Sequence, residues 1–189
     1  MTGADGADAH AAGRLADLLA HAGELGGRAA PVHLWDPPHC GAIPMRIDAG
    51  GTWHYGGSPI RREAMVRLFA SVLRREADGS IVLVTPAEKV AIVVDDAPFQ
   101  AVEMAVAGEG DAAAITLRTN IGDLVTADAE HPLRLTEDDA GGFVPYVTVR
   151  GGLEARFTRP LALELADEIV THEGRGGIWS GGKFFPVPQ

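Results

Sequence analysis

Residues 89–106 read KVAIVVDDAPFQAVEMAV, and this stretch decides the fold class because two apolar runs flank a short polar turn. Apolar runs of this length between turn residues predict β-strands, and the pattern continues along the chain. The predicted strands cover residues 90–94, 101–106, 115–119, 124–126, 133–136, 146–149 and 153–157. The C-terminal part of the chain is therefore predicted to be a run of antiparallel strands.

A helix is predicted directly after these strands. Pro160 suits the first helical turn, Leu161, Leu165 and Ile169 are spaced for one face, and Gly174 lies beyond the end. Antiparallel strands capped by one C-terminal helix are the layout of a small barrel of pleckstrin-homology type. Several other β-barrels fit this layout equally well.

The first half of the chain mixes helices and strands. Residues 1–13 are predicted as a tail, residues 14–25 as a short amphipathic helix and residues 31–38 as an extended loop. Residues 45–48 and 52–55 predict a hairpin, and residues 81–84 predict a buried strand. Between them, a helix is predicted from Ser58 as N-cap, with Pro59 in its first turn and an end near residue 78. Its apolar stripe is Met65, Leu68, Phe69, Val72 and Leu73.

These elements predict an α+β protein with two small related domains. The C-terminal domain is expected to be a β-barrel-like sheet capped by a helix, as in pleckstrin-homology domains. The predicted segments are an N-terminal tail and helix (1–30), an N-terminal α+β domain (31–88) and a C-terminal domain (89–189). Pro44, Gly50, Gly51 and Pro59 recur 101 residues later as Pro145, Gly151, Gly152 and Pro160 (145 − 44 = 101). This repeat indicates a duplication, or else chance matches among turn residues.

Composition limits the classes of function. The net charge of −10 argues against duplex nucleic acid, which is bound mainly through clustered lysines and arginines. A small phosphorylated ligand is still allowed, because a few local arginines can attract it. No apolar run reaches the roughly 18 residues that span a bilayer. Cys40 is the single cysteine, which excludes an intramolecular disulfide. We therefore expect a cytoplasmic protein without a membrane span.

The segment from Gly56 to Arg62 is the first candidate site. Glycines let an anion approach the backbone, and a helix that starts at Ser58 would offer unpaired N–H groups. Arg61 and Arg62 would add charge and forked donors. The alternative is a capped helix whose arginines form a solvated face.

Residues 177–183 also match the start of a phosphate-binding P-loop, but Phe184 stands where Ser or Thr would hold magnesium, so we predict a final hairpin there.

Cys40 is the second candidate, because an adjacent His39 could favour the thiolate. A buried structural cysteine is the alternative. No metal site is predicted, since His33, His39 and Cys40 match no zinc spacing. Asp95 and Asp96 end a strand and point to opposite faces, so they are not expected to form a facing acid–base pair.

Several strings in the chain are typical of one bacterial family. They are Cys40-Gly41-x-Ile43-x-Met45-Arg46-Ile47, Gly51-Thr52-Trp53-x-Tyr55-x-Gly57-Ser58-Pro59-Ile60 and Gly177-x-Trp179-Ser180-Gly181-Gly182, together with residues 68–75, 83–90 and 95–99. The chain from about residue 30 onward resembles the uncharacterised family DUF1285, whose name marks a domain of unknown function. Pro44 departs from the family pattern, which has Asp there, and this puts a carboxylate-dependent mechanism at that position in doubt.

The resemblance implies a two-domain protein with internal duplication, a ligand site in the cleft between the domains, a nucleotide-like ligand and a role in signal transduction. Carried over to this chain, the residues implied in binding are Cys40, Arg46, Trp53, Ser58, Lys89, Asp95, Asp96 and Trp179. The two tryptophans could stack on a base. Packing within the protein is the alternative for both of them.

Three hypotheses follow. The first is a sensor or adaptor that binds a phosphorylated, nucleotide-like molecule through Arg46, Arg61, Arg62 and Lys89, with no catalysis expected. The second is an enzyme or redox switch that uses the Cys40 thiolate, and the third is a protein-docking module without a small ligand. No cofactor is indicated, and the fold alone does not choose among the three.

Overall fold

A computed structural model describes residues 29–188 of the 189-residue chain. The predicted tail and the helix over residues 14–25 lie outside the described residues. Contacts divide the chain into two units, Met1–Asp95 and Asp96–Gln189. None of the helices within residues 29–188 has the length and apolar character needed to cross a membrane.

In its described residues, 29–95, the first unit contains a six-stranded sheet and one α-helix. A short 3-10 helix covers Val32–Leu34, and the sheet and helix follow as β1 (His39–Ile47), β2 (Trp53–Tyr55), β3 (Ser58–Pro59), α1 (Glu63–Ser71), β4 (Leu73–Arg75), β5 (Ile81–Val84) and β6 (Lys89–Val94). The strand order is β3-β2-β1-β6-β5-β4. β1 and β6 are parallel, and the other neighbours are antiparallel.

The second unit contains a second six-stranded sheet, a helix and a three-stranded sheet. Its elements are β7 (Phe99–Ala107), a 3-10 turn (Gly110–Ala112), β8 (Ala114–Thr119), β9 (Leu124–Thr126), β10 (Leu133–Glu137), β11 (Phe143–Arg150), β12 (Leu153–Phe157), α2 (Arg159–Ala166), β13 (Val170–His172), β14 (Arg175–Ser180) and β15 (Lys183–Pro186). The large sheet has the order β10-β11-β12-β7-β8-β9, and the small one has the order β13-β14-β15.

The two large sheets share one topology. In each, three antiparallel strands run from the centre to one edge, and three more return from the other edge to the centre. The first and last strands then meet as the parallel pair, β1 with β6 and β7 with β12. β1 and β7 are both nine residues long and start 60 residues apart (99 − 39 = 60). The described chain is thus mostly β with two related domains, and the predicted α+β class overstated its helical share.

The 101-residue repeat in the sequence has a local cause. Gly50-Gly51 turns the hairpin of β1 and β2, and Gly151-Gly152 turns the hairpin of β11 and β12. Gly51, Gly151 and Gly152 have positive φ angles of 81°, 52° and 75°, which glycine adopts without strain. The repeat therefore marks similar tight turns, whereas the shared sheet topology has a spacing near 60 residues.

The predicted helix start at Ser58 is wrong. Ser58–Pro59 forms β3 at the sheet edge, where the missing N–H of proline leaves no gap in the ladder. α1 starts at Glu63 and ends at Ser71, and Leu73 enters β4 opposite Leu83. The stripe residues Phe69, Val72 and Leu73 are buried as predicted, but they belong to a helix followed by a strand.

Other predicted elements differ in their bounds. The loop predicted over residues 31–38 contains a 3-10 turn, and Arg74 Nη1 donates to the carbonyls of Val32 (2.9 Å) and Trp35 (2.5 Å). β6, predicted as part of the second domain, lies in the middle of the first sheet because it pairs with β1 and β5. The division therefore falls after Asp95 rather than after residue 88.

The predicted strands over residues 81–84, 124–126 and 153–157 are confirmed with the same bounds as β5, β9 and β12. α2 has Pro160 in its first turn, although Ile169 lies beyond its end. The final hairpin is also confirmed as β14 and β15, in which Trp179 pairs with Phe184.

A buried hydroxyl connects this hairpin to the large sheet of the second unit. Ser180 Oγ donates to the carbonyl of Ala127 at 2.6 Å and accepts the N–H of Ile115 at 2.8 Å. Ser180 is fully buried, so both backbone groups depend on this one side chain.

Candidate functional site

Arg46 lies on the exposed side of β1 and is held by a carboxylate. Its Nε donates to Asp95 Oδ1 at 2.8 Å, and its Nη2 donates to Oδ2 at 2.6 Å. The hydrogen bond from Arg46 lowers the pKa of Asp95, and the same bond raises the pKa of Arg46. A phosphate that contacts Arg46 would therefore have to compete with a forked ion pair.

Asp48 stabilises the hairpin turn next to this pair. Its Oδ1 accepts the N–H groups of Gly50 and Thr52, both at 2.9 Å, and its Oδ2 lies 2.9 Å from His54 Nε2. The hydrogen bond with His54 and then that from Thr52 lower the pKa of Asp48. An aspartate that accepts from the backbone two residues ahead is a common turn device, so this role is structural.

Lys89 faces a different carboxylate, at the start of β6. Its Nζ lies 3.3 Å from Glu76 Oε2, and Arg74 Nε donates to Glu76 Oε1 at 2.6 Å. The hydrogen bond from Arg74 is the main cause of a lowered pKa at Glu76. Lys89 and Glu76 border an open hollow of about 400 Å³, which His39 and Asp78 also line. Because two carboxylates line it, this hollow suits a phosphate poorly.

Cys40 is the second residue of β1 and follows His39, which lines the hollow. The residue is half-buried, and its thiol donates to the carbonyl of Pro38 at 3.6 Å. The ring of His39 accepts the N–H of Gly41 through Nδ1 at 3.3 Å. In the described contacts, the Cys40 thiol is therefore hydrogen-bonded to a backbone carbonyl, and the His39 imidazole is hydrogen-bonded to a backbone amide.

The segment from Gly56 to Arg62 lies on the surface of the first unit. Gly56 and Gly57 turn the chain between β2 and β3 with φ angles of 55° and 81°, and Ser58, Arg61 and Arg62 are exposed. The first turn of α1 carries Glu63, which pairs with Arg67 at 3.3 Å. The expected anion site at a helix start is therefore absent at Ser58, and the two arginines precede the helix.

Arg61 and Arg62 differ from the other basic residues of the first unit. Within residues 29–95, neither guanidinium has a hydrogen bond or an ion pair. By contrast, Arg46, Arg67 and Lys89 each pair with a carboxylate. These two side chains are therefore available to an external anion.

Asp96 belongs to a network in the second unit. Tyr146 donates its hydroxyl to both carboxylate oxygens at 2.9 and 3.1 Å, and Arg156 Nη1 donates at 2.8 Å. Burial is the main cause of the raised pKa of Tyr146, and the bond to Asp96 adds to it. The guanidinium of Arg134 stacks on the Tyr146 ring at 3.9 Å. Asp95 and Asp96 thus each have their own arginine partner.

The two predicted stacking residues have different surroundings. Trp53 is 1% exposed and stacks on Phe69 with ring centroids 6.1 Å apart. Its Nε1 is buried without a hydrogen-bond partner among the described residues. Trp53 is thus a core residue, and a base could reach its ring only if the core opened. Trp179 is half-buried and borders a small cavity in the second unit.

Sequence reasoning missed Glu76, Tyr146 and Arg156, which hold two of the predicted site residues, Lys89 and Asp96, in place. Tyr146 and Arg156 are 50 and 60 residues from Asp96, and Glu76 is 13 residues from Lys89. No local spacing marks such pairs. Only Arg156 alternates with apolar neighbours in its strand, because Glu76 follows the end of β4 and Tyr146 lies in a continuous buried run.

Comparison with known proteins gives one consistent result. Residues 30–97 match the N-terminal domain of DUF1285, a domain of unknown function, and residues 98–187 match the C-terminal domain of the DUF1285 protein of unknown function. The chain belongs to the DUF1285 family. The boundary between the two matches lies close to the division that the contacts place after Asp95.

Two crystal structures are similar to this protein. A DUF1285 family protein from Silicibacter pomeroyi DSS-3 is 50% identical with a TM-score of 0.81, and the match covers 85% of this chain and 87% of that one. A DUF1285 family protein from Shewanella baltica OS155 is 27% identical with a TM-score of 0.53, and the match covers 66% and 91%. No curated protein matches this chain.

Proposed function

We propose that this protein is a cytoplasmic, ligand-binding sensor or adaptor in signal transduction. Its ligand is a phosphorylated, nucleotide-like small molecule, and the phosphates bind to the segment from Gly56 to Arg62. The observation that carries this proposal is the adjacent pair Arg61 and Arg62, which has no carboxylate partner within residues 29–188. The signalling role rests on the family resemblance described from the sequence.

The chemistry of this segment supports an anion. Two guanidinium groups offer forked donors that match phosphate oxygens, and such charge-assisted bonds are stronger than neutral ones. A Cβ at Gly56 or Gly57 would meet no atom within 4 Å, so the backbone there is open to a ligand. In an acidic chain, two adjacent exposed arginines form a local positive site, and the Glu63 that follows them is paired with Arg67.

The proposal also includes the fold type of the second domain, which we propose to be pleckstrin-homology-like. The six-stranded sheet followed directly by α2 supports it. The parallel pair β7–β12 and the three strands after α2 are additions to a layout of antiparallel strands with one closing helix. On this view the second domain serves as the adaptor part of the protein.

Calorimetry and thermal shift with nucleoside mono-, di- and triphosphates and with inorganic phosphate test the proposal. A ligand that binds only the folded protein must raise the melting temperature by mass action. We expect the Arg61→Ala/Arg62→Ala variant to lose at least about tenfold in affinity, since each charged hydrogen bond contributes about 1.5–3 kcal/mol. The matched control is Arg159→Ala/Arg175→Ala, which removes two arginines of the second unit.

Two outcomes would overturn the proposal. One is the absence of any stabilisation by millimolar nucleotide or phosphate. The other is an equal loss of affinity in the control variant, because general charge would then explain the binding. In the first case the Cys40 hypothesis is tested by its alkylation rate, and a rate no faster than that of glutathione rejects a reactive thiolate.

A further inference from the structure

A small cavity lies in the second unit, remote in sequence from Arg61 and Arg62. The loop that follows β7, the segment that follows α2 and strand β14 form its walls, through Glu109, Ala113, Glu168, Val170 and Trp179. Its volume of about 140 Å³ is close to the ~150 Å³ of a cavity that holds benzene. Nucleotide-sized ligands need about 300–1,000 Å³, so this cavity accepts a single functional group.

One wall of the cavity is aromatic. The ring centroids of His172 and Phe184 lie 5.0 and 5.3 Å from that of Trp179, so three rings pack on one face of the small sheet. Gly177 makes this possible, because a Cβ there would lie 2.4 Å from the Phe184 ring. The packed rings hold the half-buried indole in a fixed orientation at the cavity.

Two carboxylates complete the walls. Glu109 follows β7 and is exposed, and Glu168 follows α2 and is half-buried. Within residues 29–188, neither carboxylate has a hydrogen bond or an ion pair with a basic side chain. An indole face attracts cations through its negative quadrupole, and unpaired carboxylates add Coulomb attraction. Both features favour a positive group of low hydration.

The walls are held in position without a ligand. Gly181 N donates to the carbonyl of Ala113 at 2.9 Å, and the Ser180 hydroxyl fixes the end of β14 to the large sheet. Gly108 packs so tightly that a Cβ would lie 2.5 Å from the carbonyl of Ala112. Rigid walls reduce the entropy lost on binding, which matters for a ligand with so few contacts.

We propose that this cavity is a binding site for an organic cation, with the cation over Trp179 and between Glu109 and Glu168. The ammonium or guanidinium end of a basic side chain and a free quaternary ammonium group share the required chemistry. The site does not depend on the proposed phosphate segment, since no residue is common to the two.

The test is a titration of the isotope-labelled protein, followed by the indole N–H signal of Trp179 in NMR spectra. The probes are choline, N-acetyl-lysine methylamide and N-acetyl-arginine methylamide, at constant ionic strength. The neutral control ligand is 3,3-dimethyl-1-butanol, which has the shape of choline without its charge. We expect a saturable shift of the Trp179 signal with at least one cation and none with the alcohol.

The variants separate a specific site from general charge. Glu109→Gln/Glu168→Gln should weaken binding about tenfold, since two surface ion pairs together contribute about 1–2 kcal/mol. The control Glu130→Gln/Glu164→Gln removes the same charge elsewhere in the unit and should leave the affinity unchanged.

Tighter binding of the amino-acid derivatives identifies a protein side chain as occupant, and tighter binding of choline identifies a small molecule. No saturation with any cation, an equal response to the alcohol or an equal loss in the control variant would overturn the proposal.

Discussion

The two large sheets have the same strand topology, but they differ in the connection between their strand triplets. In the second sheet a short loop joins β9 to β10. Charged side chains of this sheet pair across strands, as in Arg118 with Glu103 and Arg134 with Glu154. In the first sheet the connection from β3 to β4 contains α1, and Arg61 and Arg62 precede it. The two sheets thus share their strands, and in the first sheet the connection that contains α1 also carries Arg61 and Arg62.

The largest expected loss of stability comes from a substitution in the core that packs against the first sheet. Trp53→Ala removes a fully buried ring that stacks on Phe69. Such truncations cost about 3–5 kcal/mol, so we expect the amides of β1 and β6 to lose hydrogen-exchange protection by a corresponding factor. Trp53→Phe is the milder comparison, because it keeps an aromatic ring and removes the unpaired Nε1 together with part of the indole. A loss below about 1 kcal/mol for Trp53→Ala would contradict the packing.

A smaller effect is expected in the second unit. Ser180→Ala leaves the N–H of Ile115 and the carbonyl of Ala127 buried without their partner. Unsatisfied buried groups cost about 1–3 kcal/mol, and urea unfolding should show a loss of about 2 kcal/mol. The exposed Ser58→Ala is the matched control and should not move the midpoint. If both variants behaved alike, the hydroxyl would not connect the hairpin to the sheet.

The hairpin of the first sheet should respond to acid through Asp48. Its pKa is lowered in the folded protein, so its carboxylate stabilises the fold above the unfolded value of about 3.9. This contribution is lost as the pH falls through the lower folded pKa. The urea midpoint of the wild type should therefore exceed that of Asp48→Asn at pH 7, and the difference should shrink below about pH 4. A difference that is independent of pH would reject the assignment, and Asp139→Asn serves as control.

The smallest expected effect comes from removing an exposed ion pair of the second sheet. Arg118 and Glu103 form an exposed cross-strand pair in the second sheet. Exposed pairs contribute little because water screens both charges. Glu103→Gln should leave the urea midpoint unchanged within error, and it should also leave ligand binding at Arg61 and Arg62 unchanged. A clear shift in either measurement would mean that the paired charges do more than fill a solvated surface.

The sequence predicted those elements whose signals are local. The apolar run Ile81–Val84 lies between a glycine and a proline, and it is β5 with the predicted bounds. The start of α1 could not be predicted in this way, because Ser58 and Pro59 suit both a helix N-terminus and an edge strand. The pairing of Pro59 with His54 decides between them, and that contact is not visible in the local pattern.

The candidate site was less predictable for the same reason. Arg46 and Asp95 were both singled out, but their ion pair joins residues 49 positions apart. The parallel pairing of β1 and β6 brings them together, and no spacing rule for turns or helices encodes it. Arg61 and Arg62 were predicted in the first turn of a helix that starts at Ser58, but both are exposed residues that precede the helix, which starts at Glu63.

The parallel pair in each sheet also sets an order of events during synthesis. β1 begins at His39, but its partner β6 is complete only at Val94, so the centre of the first sheet closes last. β7 and β12 have the same relation. Each growing sheet therefore holds an open strand edge until its final strand leaves the ribosome, and closing it requires a long chain loop. Chaperones that cover open edges should consequently act on each half of this chain in turn.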